Sequence, residues 1–334
     1  MKVATVEIIE NIHPHPNADT LELAKVLNYQ CVIKKDSYRV GEKIIFIQPD
    51  SVLPESEWAK FYIQSDVKSN DIKYRRVRAK RLRGEWSFGI AEKLSLLSDG
   101  IYSDNYEIGQ DVSQLLGIIK YEPPIAKDTQ VKQSKLPFNI PKTDEDRYQN
   151  LNLKEYYGQL VDVTLKIDGQ SASYYYKDGA CGVLGRSVEL RTDCSNDYTD
   201  HIQRYNIFEK LKQYCTKYNV NLVLRGESYG LGIQKSKRNP HAQLPHGWSC
   251  FSVYLIDEMR YTSPGEQHYF VNVCQELNLP TVAILEKNVP LTTQLIDYYD
   301  EKLKKYQNNY FEGVVIKGQG FSFKVVNKWY DENK

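Results

Sequence analysis

Residues 121–146 constrain the fold more than any other stretch of this chain. They read YEPPIAKDTQVKQSKLPFNIPKTDED, rich in proline and lysine and without sustained hydrophobic periodicity, which marks a linker rather than a packed element. A chain of 334 residues is long for one hydrophobic core and suits two domains. The expected organisation is a first domain over residues 1–120, a linker over 121–146 and a second domain over 147–334.

The first segment reads as short strands between turns. TLELAKVL, YQCVIKK and EKIIFIQPDSVLP carry β-branched or alternating apolar residues, punctuated by Gly41 and Pro49. Many short strands in about a hundred residues predict a small β-barrel such as an OB-fold. The run Ile12-His13-Pro14-His15-Pro16-Asn17-Ala18-Asp19-Thr20-Leu21-Glu22 resembles the opening of tRNA-binding OB domains. After the linker, strands and helices mix. QLVDVTLKIDG alternates at Val161, Val163 and Leu165, and SASYYYKDGACGVLGRS predicts a hairpin turning at Asp178-Gly179. HIQRYNIFEKLKQYCTKY places Ile202, Tyr205, Phe208, Leu211 and Cys215 at the spacing of one helix. Strands follow at NLVLRGE, CFSVYLID, FEGVVIK and FSFKVVN. The fold class is α+β: an OB-fold-like barrel, then a domain of antiparallel sheets with flanking helices.

Composition excludes several classes. Hydrophobic residues at 41% and charged residues at 26% fit an ordinary globular protein. No apolar run approaches a membrane span, and MKVATVEIIE lacks the basic and apolar regions of a secretory signal. Cys31, Cys181, Cys194, Cys215, Cys250 and Cys274 form no C-x-x-C pair, the pattern of reduced cytoplasmic thiols. His13 and His15 have no cysteines nearby with which to hold zinc. The 26 tyrosines suit sheets and cores, although a tyrosine also stacks on bases. A net charge of +1 leaves any nucleic-acid surface to local clusters. One exists: residues 73–83 read KYRRVRAKRLR, with Lys73, Arg75, Arg76, Arg78, Lys80, Arg81 and Arg83 and no acid. Such a strip neutralises a phosphate backbone in a salt-sensitive way. The competing reading is a solvated cationic strand.

The sharpest element is Lys166-Ile167-Asp168-Gly169. Behind it, in order, come Leu222-Val223-Leu224-Arg225-Gly226-Glu227, Phe251-Ser252-Val253-Tyr254, Glu312-Gly313-Val314-Val315-Ile316-Lys317, and Phe323-Lys324-Val325-Val326-Asn327-Lys328-Trp329-Tyr330. The series resembles motifs I, III, IIIa, IV and V of the covalent nucleotidyltransferases: DNA ligases, RNA ligases and mRNA capping enzymes. It covers residues 145–330 and implies an ATP-grasp-like nucleotidyltransferase domain. Lys166 is then the nucleophile that takes AMP from ATP. Asp168, Glu227 and Glu312 hold a hydrated Mg2+ or Mn2+, and Lys324 contacts the α-phosphate. The residue types fit this chemistry. A lysine with a pKa of roughly 10.4 must lose its proton to attack, and a neighbouring carboxylate alone would oppose that loss. A cation held by the carboxylates reverses the effect. Asp168, two residues beyond Lys166, is expected on the same side of a strand.

Further resemblances place Arg186 at the ribose or the RNA end, Arg147 near the ATP phosphates and Phe251 on the adenine. A surface arginine, a domain-interface ion pair and a core phenylalanine are the respective alternatives. Motif V departs from the family: Val326 stands where a second lysine is expected, with Lys328 or Lys317 as substitutes. Capping enzymes and most DNA ligases carry an OB domain after motif V. Here the sequence ends at Lys334, no such domain is expected to follow, and the barrel comes first. That order, with the basic sequence ending in Arg83-Gly84-Glu85-Trp86-Ser87, resembles the Naegleria and Deinococcus type, the fifth RNA ligase family. The resemblance implies an ATP-dependent enzyme joining 3′-OH RNA to 5′-phosphate ends through lysyl-AMP and AMP-capped RNA. Its expected setting is nick repair on duplex RNA, as a cytoplasmic monomer with no membrane partner. The alternatives are a non-catalytic RNA-binding OB protein, a DNA ligase or a capping-type enzyme.

Overall fold

A computed structural model describes residues 2–63, 75–97, 106–122, 136–142, 144–234, 239–302 and 311–331. The chain forms two compact units, Met1–Ala126 and Lys127–Lys334.

The first unit contains β1 (Ala4–Ile8), β2 (Asn11–Pro14), β3 (Leu21–Val26), β4 (Tyr29–Lys34), β5 (Lys43–Ile47), β6 (Ser51–Val52), β7 (Lys80–Leu82), β8 (Glu85–Ser87), β9 (Ile90–Lys93) and β10 (Ile119–Lys120). They pair antiparallel in the orders β1-β5-β9, β2-β3-β4, β7-β8 and β10-β6. β5 explains the unbroken apolar run of its sequence. Ile45 and Ile47 enter one core cluster with Val6 and Val112, while Ile44 and Phe46 enter another with Val26, Tyr29 and Cys31. A strand buried on both faces has no polar side to alternate with.

The second unit contains β11 (Leu160–Lys166), β12 (Gln170–Lys177), β13 (Ala180–Leu184), β14 (Glu189–Leu190), α1 (Asp197–Tyr205), α2 (Ile207–Tyr218), β15 (Leu222–Tyr229), β16 (Gly247–Leu255), β17 (Arg260–Tyr261), α3 (Phe270–Leu277), β18 (Ile284–Pro290), α4 (Thr293–Asp297), β19 (Gly313–Lys317), β20 (Ser322–Val326) and α5 (Lys328–Asp331). Two antiparallel sheets result, β14-β13-β12-β15-β16-β17 and β18-β11-β19-β20. The hairpin forms where the sequence predicts it: Lys177 pairs with Ala180 across Asp178-Gly179, and both turn residues have positive φ, as a tight hairpin of this twist requires.

The single helix expected from residue 201 to 218 is two helices. Asn206 adopts a left-handed conformation that caps α1 and begins α2, a conformation asparagine tolerates better than most residues. The break re-phases the buried face, so that Ile207, Leu211, Tyr214 and Cys215 pack against the large sheet. In the small sheet, Val161, Val163 and Leu165 join Val314, Ile316, Phe323 and Val325 in one core. Alternation then turns Asp162, Thr164 and Lys166 to the opposite face. This parity presents Lys166 away from its own core.

Candidate active site

β11 ends at Lys166, which lies opposite Gly313 of β19, and Gly313 lies opposite Val326 of β20. The Lys166 Nζ is 2.8 Å from Oε2 of Glu312, the residue just before β19, with side chains 27% and 13% exposed. Gly313 makes this approach of strands workable. Its φ is +154°, and a Cβ there would fall 2.2 Å from the Val325 carbonyl oxygen.

Asp168 is not on a strand with Lys166, as the sequence suggests, because β11 has already ended. It sits in the turn into β12, buried, and its Oδ2 accepts a hydrogen bond from the Tyr330 hydroxyl at 2.5 Å. Its carbonyl oxygen accepts another from Asn239 Nδ2 at 2.8 Å. Gly169 closes the motif by close packing, since a Cβ would stand 2.2 Å from the Ser228 carbonyl oxygen. The Gly169 N–H donates to Glu227 Oε1 at 3.1 Å. Turn and β15 are thus joined at the glutamate expected to act with Lys166.

Glu227 is half-buried as a residue, but its carboxyl group is enclosed. Burial pushes its pKa up to about 8, the charges of Glu312 and Asp168 add to the rise, and Lys166 and the Gly169 N–H oppose it. The four residues expected at the reacting centre therefore interact in space, drawn from the end of β11, the turn into β12, β15 and the residue before β19. Burial, with the charge of Asp168 beside it, holds the Tyr330 phenol far above its usual range, so its hydroxyl stays a donor. Among the described residues no group of three or more His, Cys, Asp or Glu is close enough to hold a metal ion directly.

Lys317 lies opposite Ser322 and Lys324 opposite Val315, so the two lysines are diagonal neighbours of each other on the face of the sheet that carries Lys166. Val326 shares it too, beside Gly313, where a second motif V lysine is expected. Lys328 begins α5 and pairs with Asp300 at 3.6 Å.

Residues 141–147, apart from the undescribed 143, form a strap between the two sheets. At one end the Pro141 carbonyl accepts bonds from Arg225 and the Tyr261 hydroxyl, each at 3.4 Å. At the other, the Lys324 N–H donates to the Asp146 carbonyl at 2.8 Å, and Arg147 bridges to Lys324. Between them Asp144 pairs with Arg186 at 2.7 Å, and Glu145 meets Lys317 at 3.8 Å and the Ser322 hydroxyl at 2.5 Å. Arg147 is buried. The end of the expected linker is therefore bonded into the second unit. Phe251 is the unpaired residue of a bulge, because Gly226 pairs with Cys250 while Arg225 pairs with Ser252. It is half-buried against the helix-covered core. Bulges re-aim side chains in this way.

In the first unit the basic strip is not one uniform line. Lys73 lies outside the described residues. Arg75 pairs with Glu55 at 3.4 Å, and Arg76 pairs with Asp50 while its guanidinium lies 4.4 Å over the Tyr121 ring. Arg78 is half-buried, whereas Lys80, Arg81 and Arg83 are exposed on the β7-β8 hairpin. The HPNAD stretch holds that hairpin. His15 Nε2 meets the Leu82 carbonyl at 3.0 Å, Asn17 Nδ2 donates to the Arg83 carbonyl at 3.1 Å, and the Asn17 N–H donates to His15 Nδ1 at 3.1 Å. Both ring nitrogens are thereby used within the barrel.

Sequence reasoning missed three contributors. Arg225 is 1% exposed and alternates with Glu227 along β15, a spacing that could have flagged it. Tyr330 served only as a landmark for motif V. Asn239 carried no signal at all.

The chain belongs to the RNA ligase family, whose model matches residues 159–329. A model described as an OB-fold domain matches residues 3–94, which bears out the barrel expected there. Among solved structures, a lysine-to-methionine variant of the Naegleria gruberi RNA ligase with AMP and Mn is similar at 29% identity and a TM-score of 0.85, over 100% of this chain and 99% of that one. The same organism's RNA ligase with PPi gives 30% identity and a TM-score of 0.83, over 99% and 98%. A lysine-to-alanine variant with ATP and Mn gives 30% and 0.84, over 100% and 99%. No curated protein matched the sequence.

Proposed function

We propose that this RNA ligase is ATP-dependent and that Lys166 is its nucleophile. In the first step the neutral amine attacks the α-phosphorus of ATP, a P–N bond forms and pyrophosphate leaves. The AMP then passes to the 5′-phosphate of an RNA, freeing Lys166. In the last step a 3′-OH attacks the capped phosphate, the phosphodiester forms and AMP leaves. The observation that carries this reading is the Lys166 amine 2.8 Å from Glu312 within the charge field of Glu227 and Asp168.

At rest the Glu312 carboxylate favours the ammonium form, which cannot attack. Three carboxylates that perturb one another but do not converge to ligating distance fit a divalent cation held through water, and oxygen donors suit Mg2+ or Mn2+. Such a cation would lower the lysine's proton affinity and neutralise phosphate charge. The Mn-containing complexes of the Naegleria gruberi enzyme support this assignment.

The remaining roles follow the same face. Lys324 and Lys317 would meet the ATP phosphates, where preorganised cations act on developing charge. Arg186 and Arg147 are assigned to the ribose or RNA end and to the phosphates, with Asp144 holding Arg186 until substrate arrives. Phe251 is assigned to adenine. The exposed hairpin of Lys80, Arg81 and Arg83 would track a backbone phosphate strand, with Lys73, Arg75, Arg76 and Arg78 completing the field. We assign domains over 1–120 and 147–334, joined by 121–146. The substrate we assign is nicked duplex RNA, and the working form a cytoplasmic monomer. The six free cysteines support a reducing compartment. No helix among the described residues is long and apolar enough to cross a membrane.

The test is incubation with ATP labelled at the α-phosphate and Mn2+, followed by denaturing electrophoresis. Label is expected on the wild-type chain and none on Lys166→Ala. A parallel lane with GTP separates a ligase from a capping-type enzyme. An alanine variant labelled at the wild-type level would end the assignment.

A further inference from the structure

We propose that Tyr330 is a positioning residue for Asp168, and that the turn from Asn327 to Tyr330 sets the relative placement of the Asp168 and Glu312 carboxylates. The inference rests on the assignment of these two carboxylates made above.

Asp168 lies at the end of a turn with no strand to hold its side chain. Its Oδ2 takes the Tyr330 hydroxyl at 2.5 Å, with Tyr330 1% and Asp168 6% exposed. In so enclosed a place a charge-assisted hydrogen bond is short, directional and poorly replaced by water. The same short segment reaches the other carboxylate through its backbone: the Asn327 N–H donates to the Glu312 carbonyl at 2.9 Å. The segment is itself braced. The Tyr330 N–H donates to the Asn327 carbonyl at 3.0 Å, and the Trp329 N–H donates to Asn327 Oδ1 at 3.1 Å. Asp168 and Glu312 are 144 positions apart in sequence, yet both are bonded to four residues beyond β20. A carboxylate fixed in this way keeps one oxygen on tyrosine and turns the other in a defined direction. Without the hydroxyl it gains rotational freedom, and its contribution to a preorganised site falls.

Tyr330→Phe removes one oxygen and keeps the ring. In single-turnover labelling from ATP, the rate is expected to fall about ten- to hundredfold at limiting Mn2+, the range for losing a hydrogen bond to a charged group. The half-saturating Mn2+ concentration should rise more than the plateau rate falls. Mn2+ affinity measured by electron paramagnetic resonance with ATP present, in Lys166→Ala protein where no transfer occurs, should weaken when Tyr330→Phe is added. Adding Tyr330→Phe to Asp168→Asn should produce no further loss. A fraction that fails to fold lowers the labelling amplitude, whereas lost positioning lowers the rate. Equal rates and Mn2+ affinities in wild type and Tyr330→Phe, or a full additional loss in the Asp168→Asn background, would overturn the proposal. Absence of label on the wild-type chain would instead remove the assignment on which it stands.

Discussion

Lys166 and Glu312 meet at 2.8 Å because the final residue of β11 lies opposite the glycine that follows Glu312. On the proposed mechanism the pair has two opposed effects: Glu312 would stabilise the proton that a nucleophilic Lys166 must lose, and it would supply negative charge that attracts a cation. Glu312→Gln separates them. If holding the proton were its main effect, the variant would label faster, because loss of the anion favours the neutral amine. We expect labelling at limiting Mn2+ to slow by about 10²–10³, the scale for one preorganised electrostatic group. Initial rates of AMP incorporation decide between the two.

Lys317, not Lys328, shares the face of Lys324 and Lys166. Lys317→Met should therefore slow adenylylation by about tenfold or more, through lost stabilisation of phosphate charge. Lys328→Met removes the 3.6 Å pair with Asp300 but takes no charge from the face that would meet the phosphates, so the labelling rate should stay within about twofold. Rates for the two variants under one set of conditions test the assignment.

The basic strip should divide by role. Lys80→Ala, Arg81→Ala and Arg83→Ala together remove exposed charge and should weaken binding to nicked duplex RNA while flattening its salt dependence. Arg76 is held by Asp50 and Tyr121, so Arg76→Ala should instead lower stability, by about 1–2 kcal/mol. Salt-titrated binding and thermal melts distinguish the two outcomes. An unchanged salt slope in the triple variant would remove the hairpin from the RNA surface.

Strand identity at the nick is open to direct measurement. A 2′-OH donates and accepts hydrogen bonds, and a site built around it rejects the strand that lacks it. Nicked duplexes with RNA or DNA placed separately on each side should seal only when the 3′-OH strand ends in RNA, and should tolerate DNA on the 5′-phosphate side. Equal sealing with an all-DNA 3′-OH strand would assign the enzyme to DNA as well.

His201 predicts the acid limit of stability. It is 1% exposed, its Nε2 lies 2.9 Å from the Ser228 hydroxyl, and burial lowers its pKa to about 4 from 6.5, with Asp197 pulling it upward and Arg204 pushing it down. The unfolded chain binds a proton at 6.5 that the folded chain does not bind until about 4. This group therefore costs no stability above pH 6.5, and stability is lost as pH falls from 6.5 toward 4. His201→Gln should make the decline in melting temperature over that window shallower.

The order of the motifs, the basic strip and most strands were legible in the sequence alone, because each is written in local order. K-x-D-G, R-G-E and E-G-V-V-I-K lie at or near the ends of strands, and their order along the chain can be read directly. The break at Asn206 was not legible, since the residues on either side keep a helical spacing that one left-handed residue can re-phase. Nor was the surrounding of Asp168. Its partners Asn239 and Tyr330 stand 71 and 162 positions away, and only the pairing of β11 with β19, and of β19 with β20, brings the last of them near. Glu227 shows the same limit. Its identity is in the sequence, but a carboxyl pushed up to about 8 depends on being enclosed between strands remote in order, because desolvation and the fields of neighbouring charges act through space and not along the chain.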